Sequence, residues 1–274
     1  MTNLAIERQG PVGLITLNRP ERHNAFDDAL IAELTDAFRS MEGEESVRVV
    51  VLSGAGKSFS AGADLNWMKR MAGFSIDENR RDAMGLGALM RTIAHFRKPT
   101  IARVHGAAYG GGVGLVACCD IAIAVQHATF SLSEAKLGLI PAVISPYVVA
   151  AIGERYSRRY FLTAERFDAA EAYRIGLVHD LASSEADLDE KVGDVIDALL
   201  QCGPVAQMEA KALIRAVANH PVTSEIIQDT AERIAKIRSS PEGREGVAAF
   251  LEKRKPGWIP PEPETDVPPE IPHV

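Results

Sequence analysis

Two glycine-rich loops, each entered from an apolar strand, constrain this chain more than any other feature. VRVVVLSG, residues 47–54, is nearly continuously apolar, as a strand covered on both faces must be, and it runs straight into GAGKSFSAGADL at 54–65. The arrangement then returns. TIARVHG at 100–106 reads as the next strand, a Gly-rich turn opens a short apolar helix near Gly111, and DIAIAV at 120–125 is another strand. Strands alternating with helices imply parallel pairing through right-handed crossovers, which makes the fold class α/β.

The flanking segments fit that frame. LAIERQGPVGLITLN reads as a hairpin turning at Gln9-Gly10-Pro11. Asp27 is the expected N-cap of a helix whose apolar positions Leu30, Ile31, Leu34, Ala37, Phe38 and Met41 recur at three and four. A further helix is expected over 77–96, ending before Pro99. Beyond Pro141 the pattern turns helical, at 145–152, 154–163, 168–174, 186–202, 204–219, 222–238 and 242–254, with one short strand near 177–181. Seven of the fifteen prolines fall in 256–274, which is expected to be an extended arm or disordered.

Composition narrows the function classes. With 30 Lys and Arg against 37 Asp and Glu, the net charge of −7 supplies no general attraction to phosphate backbones, so nucleic acid is not an expected partner. Cys118, Cys119 and Cys202 lack ligand spacing, so no metal is expected, and a reducing compartment suits them. The first residues do not read as a signal or transit peptide, which makes the cytoplasm the expected location. The apolar run Gly106–Cys119 stops at Asp120, short of the ~20 residues a membrane span needs.

Neither loop is a nucleotide-binding fingerprint. Gly54–Ser58 matches the second half of a P-loop, but Val51 stands where the first glycine belongs. Glycines 110, 112 and neighbours fail GxGxxG at Leu115. The loops do free backbone N–H groups, and a helix N-terminus adds partial positive charge, so together they could hold an oxyanion. Tight turns and close helix-to-sheet packing would demand the same glycines. Glu134, after ATFSLS and before AKLGLIPAVISP, is a carboxylate among apolar residues; it suits acid/base work, an N-cap or a salt bridge.

Asn18-Arg19-Pro20, Asn24-Ala25, GKSFSAGADL (56–65), His105-Gly106 through Gly110-Gly111-Gly112 to Cys119-Asp120, FSLSEAKLGLIP (130–141) and FLEKRK (250–255) resemble the crotonase superfamily, in order over about 4–257. The resemblance implies a spiral of ββα units as an acyl-CoA-binding catalytic core at 1–200. It also implies a helical oligomerisation region at 201–255, forming a homotrimer or a hexamer of two trimers. It implies that the N–H groups of Ala63 and Gly111 hold an acyl-CoA thioester oxygen and that Glu134 is the acid/base. Lys57 falls where the family places a cation near CoA, with Arg22 a weaker candidate. Phe250 and Lys253 match positions that reach a neighbouring subunit's nucleotide. No cofactor beyond the substrate's own coenzyme A is implied. Asp64 and Asp120 match structural positions, and His105 is assigned no chemistry.

One residue departs from the pattern: Gly114 stands where the two-glutamate hydratases carry their second Glu. One carboxyl can hydrate a 2-enoyl thioester if it both takes and returns a proton, and one also suffices for double-bond isomerisation. GAAYGGGVGLVACCDIAIA and LSEAKLGLIPAVISPYVVAAIGERYSRRYFLTAE are similar to the branch of methylglutaconyl-CoA and carboxygeranoyl-CoA hydratases of leucine and terpenoid breakdown, which favours hydration. A catalytically silent CoA-binding subunit is the non-enzymatic alternative. Substrates of that branch end in a carboxylate, for which Lys69, Arg70 and Lys136 are the candidate cations. The acyl pocket is expected to draw its apolar wall from Trp67, Met68, Met71, Ile140, Ala142 and Val143.

Overall fold

The hairpin and the capped helix form as the residue pattern predicts. In the computed structural model, which describes residues 3–259, β1 (Leu4–Gln9) and β2 (Val12–Leu17) pair antiparallel with Gln9 opposite Val12. Asp27 caps α1 (Asp28–Gly43) by accepting from the Leu30 N–H at 3.0 Å, and all six predicted apolar positions are buried. β3 (Val49–Gly54) is buried over Val49–Leu52, as expected of a strand covered on both faces.

The stretch 54–65, read as a loop, contains a strand, β4 (Ser58–Ser60), and leads into a helix, α2 (Leu65–Met71). Three residues are too few to show a period of two, and seven too few for a helical stripe, so sequence pattern alone could not reveal them. The strand that begins at Ser58, directly after Lys57, also removes the helix a P-loop would need. Next come α3 (Ile76–Ala94), opened by a capping box between Ser75 and Glu78, and then β5 (Thr100–Val104), β6 (Ala107–Tyr109) and α4 (Gly111–Cys118). β7 (Ile121–Val125), β8 (Thr129–Ser131), a 3-10 turn (Ser133–Leu137) and α5 (Ser145–Thr163) complete the third round. Gly153 breaks α5 at φ 74°, between the two helices expected there.

Each round places one long strand in one sheet and one short strand in another. β3, β5 and β7 are parallel neighbours in a sheet ordered β1-β2-β3-β5-β7-β10, whose last member is β10 (Asp180–Ala182). β4, β6 and β8 step in parallel in the second sheet, closed by β9 (Arg166–Asp168) in antiparallel register, with Phe130 opposite Phe167. The strand expected near 177–181 therefore lies slightly later, and β9 was not anticipated at all. α4 is buried around most of its circumference, which explains why it carries no polar side chain.

Two compact units divide the chain, the first ending at Leu199 and the second beginning at Leu200. α6 (Ala169–Arg174) and most of α7 (Glu185–Gln201) belong to the first. The second holds α8 (Pro204–Val217), α9 (Ser224–Ser239) and α10 (Pro241–Glu252). Within it, the Glu242 carboxylate accepts from the Val205 and Ala206 N–H groups at 2.9 and 2.8 Å, capping α8 from a distant position in sequence. Residues 256–259, expected to open the tail, are tied to this unit: Trp258 Nε1 donates to Gln201 O at 3.0 Å and the Gly257 N–H to Glu245 at 2.9 Å. The remainder of the Pro-rich segment, 260–274, lies outside the described residues. Among the described residues no helix is long and apolar enough to cross a membrane, and no group of His, Cys, Asp and Glu could hold a metal ion.

Candidate active site

The second sheet brings the two glycine loops together. Phe26 pairs with Ala63 in an isolated parallel bridge, its N–H donating to Gly62 O and its carbonyl accepting from Asp64 N, both at 2.7 Å. In such a bridge the intervening residue turns its own N–H to the opposite edge, so the Ala63 N–H faces away from Phe26. Gly62 has φ 87°, and a methyl group there would lie 2.8 Å from Tyr109 O and 3.7 Å from Gly111 N. Only glycine allows this approach between the end of β4 and the start of α4. Gly111 is the first residue of α4, where N–H groups have no intrahelical acceptor, while the Val113 and Gly114 N–H groups return to Gly110 O. Two main-chain donors, one at a helix N-terminus, thus border one space and can polarise a carbonyl oxygen placed there.

Glu134 stands beside them. It lies in the 3-10 turn that follows β8, and a methyl on Gly110 (φ 50°) would come within 3.1 Å of its Oε1, so the carboxyl lies against the residue preceding α4. Its Oε2 is buried with no hydrogen-bond partner, and burial pushes its pKa upward against the lowering effect of its own backbone N–H. A carboxyl held this way is brought toward the range where it can both take up and release a proton.

Ala63, Gly111 and Glu134 line one cavity of about 900 Å³. Trp67, Met68, Met71, Ile140, Ala142 and Val143, expected on its apolar wall, line it as well, and Trp67 is only 4% exposed. Leu137, Leu139 and Ile144 extend that wall. Further residues not anticipated are on α3: Asn79, Asp82, Ala83 and Leu86 form one stripe at the spacing of a helix face. That spacing was legible, but a stripe half polar and half apolar is no signal of a binding wall by itself. Asp82 Oδ1 accepts from Trp67 Nε1 at 3.1 Å, and burial raises its pKa despite that bond.

Other candidates are not among the residues lining this cavity. Lys69, Arg70 and Lys136 are exposed and none of them lines it; Arg70 instead pairs with Asp28. The expectation that they meet an acyl carboxylate therefore fails: Lys69 and Arg70 lie at the C-terminal end of α2, and Lys136 in the 3-10 turn points to solvent. Lys57 is exposed in the turn before β4, and its carbonyl abuts Gly106. Phe250 is 82% exposed near the end of α10, where Lys253 is the C-cap at φ 56°. Arg22 bonds Asp64 at 3.2 Å, and Asp64 in turn caps α2 through the Asn66 and Trp67 N–H groups. Asp120 accepts from the Thr100 N–H and hydroxyl, both at 2.8 Å, and His105 Nε2 bonds Gly56 O at 3.0 Å, so both serve the scaffold. Gly114 is not on the cavity wall. A methyl there would overlap Ile144 Cγ2 and approach Met90 Cε at 3.2 Å.

A ladder of ββα rounds that brings Ala63, Gly111 and Glu134 onto one largely apolar cavity defines an α/β enzyme of the crotonase superfamily. The chain belongs to the enoyl-CoA hydratase/isomerase family, whose model matches residues 7–260. It is similar to the crystal structure of an enoyl-CoA hydratase from Shewanella pealeana, with 46% identity, coverage of 94% of this chain and 96% of that one, and a TM-score of 0.91. It is also 31% identical over 262 residues to crotonyl-CoA hydratase of Syntrophomonas wolfei, covering 94% of this chain and 98% of the relative. With 2,3-dehydroadipyl-CoA hydratase of Escherichia coli it shares 30% identity over 260 residues, 94% and 99% of the two chains.

Proposed function

We propose that this enzyme adds water across the C2–C3 double bond of a 2-enoyl-CoA thioester. The observation that carries the reading is Glu134: a buried carboxyl with an unpartnered oxygen, packed against Gly110 at the mouth of the two converging N–H donors. In this reading the ionised carboxyl takes a proton from water as the water oxygen bonds C3. The π electrons move to C2 and the thioester, and the negative charge collects on the thioester oxygen between the Ala63 and Gly111 N–H groups. Glu134 then delivers the same proton to C2, so the carboxyl and both donors return to their starting state. Coenzyme A is the carrier within the substrate; its nucleotide end we assign to Lys57, with Phe250 and Lys253 supplied by a neighbouring subunit of a homo-oligomer.

The likeness to methylglutaconyl-CoA hydratases suggests a substrate ending in a carboxylate, but no Lys, Arg or His is among the residues lining the cavity. The lining supports an uncharged acyl tail instead. Turnover in labelled water tests the chemistry: the wild type should place one labelled oxygen in the 3-hydroxyacyl product, and Glu134→Gln should abolish this while still binding acyl-CoA. Migration of the double bond of a 3-enoyl-CoA without oxygen uptake would overturn hydration in favour of isomerisation.

A further inference from the structure

The cavity contains a second carboxyl that the chemistry above does not use. Asp82 stands on the α3 stripe with Asn79, Ala83 and Leu86, facing the same space as Ala63, Gly111 and Glu134. Its position is set by Trp67, whose Nε1 donates to Oδ1 at 3.1 Å, and Trp67 is itself nearly fully buried. The other charges acting on it are the repulsion of Asp28 and the attraction of Arg70, and those two residues pair with each other. The apolar part of the wall around it includes Trp67, Met68, Met71, Leu86, Ile140 and Val143, with no cation among the lining residues.

We propose that Asp82 is a specificity-determining residue that bars acyl tails ending in a carboxylate and so reserves the cavity for uncharged tails. The mechanism is selection by exclusion. A carboxylate brought into a largely apolar cavity loses its water and meets a fixed like charge, with no cation on the wall to pair with it. A neutral methyl terminus incurs neither cost, and a tail with a hydroxyl can donate to Oδ2. The inference deepens the hydratase reading, since it concerns the substrate of that same site. It rests, however, on binding alone and does not need turnover.

The test compares hexanoyl-CoA with adipyl-CoA, thioesters of equal chain length that differ in a terminal carboxylate, by calorimetric Kd at neutral pH. The wild type should bind adipyl-CoA at least ~10-fold more weakly, the scale expected of unpaired like charges in a desolvated site. Asp82→Asn keeps an acceptor for the Trp67 N–H and removes the charge, and should cut that ratio by ~5-fold or more through tighter adipyl-CoA binding. Asp82→Ala should do the same, which guards against an effect of amide orientation. Equal wild-type affinity for the two thioesters, or a ratio unmoved by both substitutions, would overturn the proposal. Absence of water addition by a wild type that still discriminates would count against the hydratase reading and leave the role of Asp82 standing.

Discussion

Gly114 tests whether this site is built for a single catalytic carboxyl. A methyl group at 114 would overlap Ile144 Cγ2, lie 2.9 Å from Ile144 Cβ and 3.2 Å from Met90 Cε, all inside the core between α4, α3 and the start of α5. Gly→Ala in a helix interior should gain about 1 kcal/mol from backbone entropy. Overpacking of this kind costs about 1–3 kcal/mol, so Gly114→Ala should be neutral to about 2 kcal/mol less stable. Ile144→Ala alone should cost about 2–5 kcal/mol, because Ile144 is 2% exposed and its truncation leaves a cavity. The double variant removes the overlapping Cγ2 and fills part of the void, so the two changes should couple favourably by about 1 kcal/mol or more. Urea unfolding of the four proteins measures this. Additivity within about 0.5 kcal/mol would refute the packing argument, because residues in direct contact do not behave independently. Gly114→Glu adds a buried, unpaired carboxyl to the same clash, a further cost of several kcal/mol on the scale of ~2–7 for uncompensated polar burial, and should not speed hydration of crotonyl-CoA. A stable Gly114→Glu protein hydrating much faster than wild type would show that the position can still present a catalytic carboxyl.

Two further outcomes follow from the donors and from Glu134. Ala63→Pro deletes one N–H that no strand bond requires, and should lower turnover by roughly 10²–10³-fold with the fold retained by circular dichroism; near-normal turnover would remove Ala63 from the mechanism. The corresponding Gly111→Pro is a poorer probe despite the tolerance of proline at a first helical position, since any β-carbon there collides with the Phe26 ring. Burial raises the Glu134 pKa above the ordinary glutamate value of about 4.5, so the folded protein holds that proton more tightly than the unfolded chain. Its contribution is fully present below pH ~4.5 and is lost as pH rises through the raised folded value. Glu134→Gln should therefore match or trail the wild type in acid and become the more stable protein at neutral pH, as read from thermal melts across pH 4–8; a parallel pH dependence of the two would refute the burial argument.

Much of the scaffold was legible because local physics determines it. The hairpin follows from alternation around Gly10-Pro11, α1 from Asp27 and its stripe of apolar residues, and the break in α5 from Gly153. The long strands β3, β5 and β7 announced themselves by continuous apolar runs, since strands in the middle of a covered sheet have no polar face. Glu134, Ala63 and Gly111 stood out only through resemblance, because a lone carboxyl and two glycine loops have ordinary structural explanations. The structure decided what depends on long-range approach. β4, β6, β8 and β9 are three residues each, stable only by pairing with one another, so their signal is not in any one segment. Gly62 and Gly111 meet because β4 and β6 are neighbours, and Gly114 is closed off by Ile144, thirty residues further on. Sequence proximity made Lys69, Arg70 and Lys136 suspects for a charged tail, whereas a helix turn and solvent exposure take them away from the cavity. The same three-dimensional packing brings in Asp82 through Trp67, fifteen residues away along the chain. Charge inside a cavity is a property of which faces converge, and a linear sequence specifies those faces only through the fold they jointly build.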